Sequence, residues 1–218
     1  QRQMCIRDSV YIAGDSALLR YDLSEVLAAK AGDRIPCLEE IKVDNSASFC
    51  FADGDKMYVG EFYRAGNYEI EDTTHHYTTP EGEEHRAIVS CYTIHDDGTL
   101  ESIPDYWISV PGLVQGFAVY NGVIAISRSW GLNSSSIEFY RGMEATDKVS
   151  VREDYSSKAV PVYYIGKKNH IKTVAAPAFS EDLTVKDGRL IVSFESACNK
   201  YKIGKIFFAT VAGSYPFP

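Results

Sequence analysis

Three segments of this chain share one pattern: an apolar strand, an Asp-Gly or Asn-Gly pair, and a second apolar strand. The glycines of these pairs, Gly54, Gly122 and Gly188, follow one another at intervals of 68 and 66 residues. Such pairs favour positive φ in a tight turn, so each segment is predicted to form an antiparallel β-hairpin. The three segments are Ser48–Glu61, Gly116–Arg128 and Asp182–Phe194.

Hairpins that recur at a near-constant interval are typical of folds built from repeated small sheets. The predicted class is all-β: a partial β-propeller with about three and a half blades of four-stranded antiparallel sheet, in one domain over residues 9–218. A compact sandwich of the same hairpins is the alternative. The expected blades are a partial one over 9–43, complete ones over 47–110 and 114–176, and a partial one over 181–218.

One helix is predicted over residues 24–31, with Ser24 as its N-cap and Gly32 as its C-terminal stop. In the second blade, the polar stretch Glu144–Lys158 is expected to separate the third strand from the fourth. The last predicted strand runs over Lys205–Val211.

The first nine residues, Gln1–Ser9, match no pattern in the rest of the chain and resemble a translated sequencing adapter. Residues 1–8 are therefore expected to be a non-native or disordered leader on a fragment truncated at its N-terminus. An export signal or lipid anchor could have stood in the missing part, so the sequence leaves the compartment open, with an exported or cell-surface location as one alternative.

Charge and composition narrow the classes of partner. The net charge is −8 and the only concentrated basic run is Lys167-Lys168, so no nucleic-acid partner is expected. No stretch approaches the roughly 18 to 20 apolar residues that span a bilayer. The five cysteines, Cys198 among them, include no C-x-x-C pair, which disfavours a zinc site.

Polar residues flank the hairpins, just before the first strand and just after the second. In a propeller these positions meet at the mouth of the central channel, so they are candidate ligand-binding residues. Alternatively, they hydrogen-bond neighbouring sheets and order channel water. Trp130, which follows the second hairpin, either stacks on a sugar or another ring or packs between blades. The flanking candidates are Gln115, Arg128, Glu181 and Glu195, with Glu61 a weaker member.

The insertion over residues 63–86 holds His75, His76 and His85, which are weak candidates for metal ligands because their spacing fits no known site. A solvated loop, a substrate gate and a partner contact are the other interpretations of this insertion. Ser196 lies outside any Gly-x-Ser-x-Gly elbow, so we assign no catalytic residue. No cofactor is predicted.

The segments Val114–Ser129 and Glu181–Ser196 resemble the beginnings of propeller blades. The resemblance covers about residues 47–210, and is to the six-bladed superfamily of calcium-dependent lactonases, strictosidine-synthase-like proteins and NHL-type binding repeats. It is nearest to bacterial propeller proteins, many of them exported. The lactonase branch implies a calcium ion in the channel, held by Glu, Asn and Asp, with Glu181 at the position of that Glu.

The function expected from these features is a scaffold that binds a small molecule or a protein through the channel mouth, without demonstrable enzymatic activity. The alternative is a calcium-dependent, lactonase-like hydrolase with Glu181 or Glu195 as a metal ligand. A third interpretation is a structural surface module whose contact loop is the His-rich insertion.

Overall fold

The structure is a computed structural model that describes residues 2–6, 8–14, 16–151, 158–195 and 212–218. The chain is all-β, as predicted, with one short α-helix, α1 (Leu23–Ala28), and a 3-10 turn at Thr73–His75. Nineteen strands lie in the described residues: β1 (Arg2–Ile6), β2 (Ser9–Gly14), β3 (Ala17–Asp22), β4 (Glu39–Lys42), β5 (Phe49–Asp53), β6 (Lys56–Gly60), β7 (Tyr77–Thr78), β8 (Glu84–His85), β9 (Ala87–Thr93), β10 (Tyr106–Val110), β11 (Val114–Tyr120), β12 (Val123–Arg128), β13 (Ser135–Arg141), β14 (Glu144–Val151), β15 (Ala159–Tyr164), β16 (His170–Ala176), β17 (Ser180–Lys186), β18 (Arg189–Phe194) and β19 (Ala212–Pro216).

Among the described residues these strands form five sheets. Their strand orders are β1-β2-β3-β4, β14-β15-β10-β9-β6-β5, β11-β12-β13-β16, β17-β18-β19 and β7-β8. The three hairpins predicted from the Gly pairs are confirmed as the antiparallel pairs β5–β6, β11–β12 and β17–β18.

The three hairpin turns differ in where the glycine lies. Asn121-Gly122 and Asp187-Gly188 both have positive φ at their two positions, which is the geometry of a type I′ turn. In the first hairpin Asp53 pairs with Lys56, so Gly54 is the first residue of the loop rather than the second. The same dipeptide pattern thus produces two different turns, because the register of the strands decides which residues form the loop.

The predicted partial propeller, and with it the resemblance to the six-bladed superfamily, is wrong. The sheets have four, six, four, three and two strands, they are separate, and no propeller arrangement is identified among them. A hairpin signal is local and does not determine which further strands join the sheet. The polar stretch over 144–158 shows this: its β14 lies next to β15 in the sheet of the first hairpin, where the sequence predicted a connection inside the second blade.

The helix begins earlier and ends earlier than predicted. Its N-cap is Asp22, not Ser24, and the Asp22 carboxylate accepts a hydrogen bond from the Glu25 amide at 3.0 Å. The C-cap is Ala29, so the predicted C-terminal stop at Gly32 lies beyond the helix. No residue of α1 is buried, which leaves capping as the main contribution to this short helix.

Several predictions concern the ends of the chain. Residues Arg2–Ile6, expected to belong to a leader, form β1 and pair with β2 from Arg2↔Ala13 to Ile6↔Ser9. The non-native origin of this segment stays a prediction. Ser196, Cys198 and the predicted strand over 205–211 lie outside the described residues. In the described part of the chain, no helix has the length and apolar character needed to cross a membrane.

The chain divides into two compact units, and the single domain over 9–218 stays a prediction. The first unit contains residues 1–61, 88–108 and 146–162, and the second contains residues 62–87, 109–145 and 163–218. Buried aromatic and aliphatic side chains fill the core of the first unit, with Trp107 fully buried and its indole Nε1 donating to Asp44 Oδ2 at 3.1 Å.

The core of the second unit is built from the inward faces of β11–β13 and β17–β18. Its fully buried side chains include Phe117, Ile126, Phe139 and Leu183. The two hairpins approach closely at Gly116, where an added Cβ would lie 2.5 Å from the backbone oxygen of Glu181. Only glycine fits there, and its small size sets the distance between β11 and β17.

Candidate functional site

Three aromatic rings of the second unit, Phe62, Tyr68 and Trp130, pack together at its surface; we call them the aromatic platform. Phe62 stacks on Trp130 with ring centroids 6.0 Å apart. Tyr68 packs edge-on against both, at 5.3 Å from Phe62 and 5.6 Å from Trp130. Tyr68 is 51% exposed, whereas Phe62 and Trp130 are half-buried. The platform therefore presents one accessible ring on a base of two others.

A tight turn over residues 64–68 holds Tyr68 in place. Arg64 and Tyr68 exchange backbone hydrogen bonds, N to O, of 3.0 and 2.9 Å. Gly66 adopts a φ of +81°, and its amide donates to the Glu69 carboxylate at 2.6 Å. Because the turn is closed by backbone bonds and rests on Trp130, the Tyr68 ring is positioned before any ligand arrives.

Arg64 lies over the ring of Trp130, with its guanidinium carbon 4.2 Å from the ring centroid. This is a cation–π contact. The Nη1 group also donates to the side-chain oxygen of Asn67. The positive charge of Arg64 is thus held next to the Trp130 ring of the aromatic platform.

A second arginine, Arg128, ends strand β12 two residues before Trp130. Its Nη1 donates to Glu138 Oε1 and its Nε donates to the Gly112 carbonyl, both at 2.9 Å. Ser136 donates to the same Glu138 oxygen at 3.0 Å, and Tyr140 donates to Oε2 at 2.6 Å. Both carboxylate oxygens of Glu138 therefore have donors. We call the ion pair of Arg128 and Glu138 the brace, because it fixes the end of β12.

The pKa values at this brace follow from its contacts. Burial alone would raise the pKa of Glu138, but the charge of Arg128 and the hydrogen bonds from Tyr140 and Ser136 outweigh it and hold the pKa below its ordinary value. Burial and the neighbouring Glu138 charge raise the pKa of Tyr140. Glu138 is thus an anion and Tyr140 a neutral donor near neutral pH.

The brace connects to the platform through a short run of contacts. Arg128 binds the carbonyl of Gly112, and the next amide, that of Leu113, donates to the Tyr63 carbonyl at 2.9 Å. Leu113 in turn accepts from the Ser129 amide at 3.0 Å. Tyr63 lies between Phe62 and Arg64 in sequence, so the brace anchors the segment that carries the platform.

His85 is a buried imidazole in the same unit. It is 1% exposed, and its Nδ1 lies 3.2 Å from Ser109 Oγ. Burial lowers the pKa of His85 to about 4, assisted by the charge of Arg128 and opposed by that of Glu83 and by hydrogen bonding to Ser109. The ring is therefore neutral near pH 7, and its Nδ1 is hydrogen-bonded to the Ser109 hydroxyl.

The predicted binding residues are divided between the two units. In the second unit Val114, next to Gln115, pairs with Arg128, and the backbone of Glu181 abuts Gly116. Ser127 and Ser180 join the two hairpins with hydroxyl oxygens 2.7 Å apart. The ends of β11, β12 and β17 therefore meet, although the predicted channel mouth belongs to the propeller that the sheets contradict. That these ends bind a ligand stays a prediction.

The remaining two flanking candidates are held by the backbone. Glu195 follows β18, and its amide donates to the Phe179 carbonyl at 3.0 Å. Glu61 is buried in the first unit, where its Oε1 accepts from the Ile88 amide at 3.0 Å. A buried carboxylate needs donors, and the Ile88 amide is one of them. That Glu61 and Glu195 bind a ligand stays a prediction.

The three histidines of the insertion have separate surroundings. His75 is buried with Nε2 3.6 Å from Asp72 Oδ2, and His76 Nε2 lies 3.3 Å from the Ile70 carbonyl. His85 faces Ser109, as described above. Across the described residues, no three His, Cys, Asp or Glu side chains are placed together to hold a metal ion.

Sequence reasoning identified Trp130 and missed its partners Phe62, Arg64 and Tyr68. A signal was present: Phe62 follows the first hairpin much as Trp130 follows the second, and Gly66 marks a turn between Arg64 and Tyr68. The missing information was that the segment over 62–68 packs against Trp130 within the second unit, which depends on contacts distant in sequence.

No family model matches this sequence, and no curated protein matches it. Among solved structures, the crystal structure of the computationally designed Ika8 protein is similar at a TM-score of 0.34 and 9% identity, over 90% of this chain and 43% of that one. The chain thus spans less than half the length of that designed protein. A likeness this distant carries no argument about fold or function.

Proposed function

We propose that this chain is a carbohydrate-binding protein and that the aromatic platform takes a sugar ring. The observation that carries the proposal is the 51% exposure of Tyr68 while its ring is fixed against Phe62 and Trp130. A large ring that is exposed and already held offers an apolar face at little entropic cost on binding.

A sugar fits the chemistry of this surface because its ring has an apolar C–H face and a rim of hydroxyl groups. The C–H face would stack on the apolar ring of Tyr68, while the phenol hydroxyl of Tyr68 stays hydrated or bonds to the sugar. Hydroxyl groups at the rim would find the Tyr68 phenol and the exposed amides of Asn67 and Asn133. Asn133 lies in the turn that follows Trp130.

The brace of Arg128 and Glu138 supports this proposal because it holds the segments that carry the platform. It fixes the strand end next to Trp130 and, through Gly112, the segment next to Phe62. Binding sites keep their affinity when the residues that touch the ligand are held by a second set of contacts. The calcium-dependent hydrolase belongs with the propeller resemblance that the sheets contradict, and is not proposed.

Isothermal titration calorimetry with three neutral hexasaccharides tests the proposal: cellohexaose, xylohexaose and fully methyl-esterified hexagalacturonate. We expect at least one to bind with a Kd on the order of 1 mM or tighter. Tyr68→Ala should weaken this binding about tenfold, because it removes the stacking surface. Tyr68→Phe, which keeps the ring, should retain most of the affinity.

Leu27→Ala is the matched control, because Leu27 is 77% exposed on α1 and belongs to no aromatic group described above. Its binding should equal that of the unchanged chain. Absence of binding for all three sugars, or equal binding by the unchanged chain and Tyr68→Ala, would show that the platform is not a sugar site.

A further inference from the structure

We propose that the sugar bound at the aromatic platform is a uronate, and that Arg64 binds its carboxylate. This inference rests on the proposed function, since it names the class of sugar for the same site. It starts from the guanidinium of Arg64, which is stacked on Trp130 and tethered by Asn67.

The N–H groups of Arg64 lie in the plane of its guanidinium. Within the described residues, the one hydrogen bond of its side chain runs from Nη1 to Asn67. The Nε and Nη2 donors therefore remain available as a parallel pair, the edge that matches the two oxygens of a carboxylate. A planar cation held on a Trp face is pre-ordered for this bidentate contact.

Arg64 differs from Arg86 and Arg128 because it has no carboxylate partner among the described residues. Arg128 is paired with Glu138 and Arg86 with Glu84, each at 2.9 Å. In the part of the chain that the structure describes, no carboxylate lies within ion-pair distance of Arg64. Glu69 of the same turn is bound to the Gly66 amide at 2.6 Å. An incoming carboxylate would therefore meet a cation that has no anionic partner.

The position of Arg64 fits a ligand that uses Tyr68 at the same time. The two residues are joined by a pair of backbone hydrogen bonds, and both contact the ring of Trp130. A uronate carries its carboxylate directly on the sugar ring. One ring can thus stack on Tyr68 while its carboxylate reaches the neighbouring guanidinium.

Hexagalacturonate and its fully methyl-esterified form test this inference, because they share every ring and differ in the charge of the carboxyl groups. We expect the acid to bind about tenfold more tightly than the ester, the size typical of a charge-assisted hydrogen bond. Arg64→Gln should remove this preference while the ester binds as before. Arg64→Lys keeps the positive charge but loses the paired N–H donors of the guanidinium, so it should retain part of the preference for the acid.

Arg86→Gln is the matched control, since it removes an equal charge from an arginine already paired with Glu84. It should keep the preference for the acid. Equal affinity of the unchanged chain for acid and ester would overturn the uronate inference and leave the sugar site standing. A loss of ester binding in Arg64→Gln would also overturn it, because Arg64 would then hold the platform rather than the carboxylate. Binding of neither form, with no neutral hexasaccharide bound, would overturn both proposals.

Discussion

Tyr68 packs edge-on against Trp130, with ring centroids 5.6 Å apart, and it is the more exposed of the two. Both residues belong to the second unit, where their contact joins the segment over 62–87 to the segment over 109–145. The proposed carbohydrate site depends on it, because an exposed Tyr ring without a base would be mobile and would lose entropy on binding.

The two tryptophans should differ in their access to solvent. Trp107 is fully buried and bonded to Asp44, whereas Trp130 is half-buried at the platform. Acrylamide should therefore quench the fluorescence of Trp130 and leave that of Trp107 nearly unchanged. The variants Trp130→Phe and Trp107→Phe separate the two signals. Equal quenching of both variants would contradict the burial of Trp107 and the exposure of the platform.

Breaking the Arg128–Glu138 brace should cost more than removing it whole. Arg128→Met leaves a carboxylate that is 11% exposed without its cation, and we expect a loss of about 2 kcal/mol in the free energy of unfolding. The double variant Arg128→Met with Glu138→Gln removes both charges and should recover much of that loss. Urea unfolding measures both. A double variant less stable than the single one would mean that the brace does not act as an ion pair.

The neutral, buried His85 predicts a pH dependence of stability. Its pKa is about 4 in the folded chain, against an ordinary value of 6.5, so the folded state binds fewer protons than the unfolded state between these values. The stabilisation is complete above pH 6.5 and is lost as the pH falls toward 4, by about 3 kcal/mol in total.

The variant His85→Gln should lack this contribution, and comparing its urea midpoints with those of the unchanged chain from pH 7 to pH 4 isolates His85 from the carboxylates. Parallel pH profiles for the two chains would show that the imidazole is protonated in the folded state at an ordinary pKa.

The close approach of β11 and β17 should not tolerate a methyl group. Gly116→Ala places a Cβ 2.5 Å from the Glu181 backbone oxygen and 3.0 Å from the Leu183 amide, so the hairpins must move apart. We expect a loss of roughly 2 kcal/mol. Gly131→Ala is the control, because no atom lies within 4 Å and only the strain of its φ of +60° is added, about 1 kcal/mol. Unfolding midpoints in the opposite order would exclude this packing.

Sequence reasoning could predict the hairpins because their signal is local. Asn121-Gly122 and Asp187-Gly188 take the positive φ values that their dipeptides favour, whatever surrounds them. The same reasoning could place Gln115, Arg128 and Glu181 near the ends of hairpin strands. It expected those ends to meet only because it assumed a propeller, which the sheets contradict.

The arrangement of the sheets could not be predicted in the same way. Strands β14 and β15 lie in the sheet of the first hairpin although they follow the second in sequence. Strand β14 mixes polar and apolar residues and β15 is a short, mostly apolar run, and neither pattern indicates which sheet the strand joins. The contact between Tyr68 and Trp130 was missed for the same reason, because it depends on which sheets and loops meet.

The most direct test of the carbohydrate site is a two-dimensional ¹H–¹⁵N spectrum of the indole Nε1–H groups during titration with each of the neutral hexasaccharides that calorimetry shows to bind. The chain has two tryptophans, and the buried indole of Trp107 serves as an internal reference. We predict that the Trp130 resonance shifts in a saturable manner while that of Trp107 does not, and that Tyr68→Ala needs about tenfold more sugar to reach the same shift. A Trp130 resonance that stays unchanged up to saturating sugar would contradict the account.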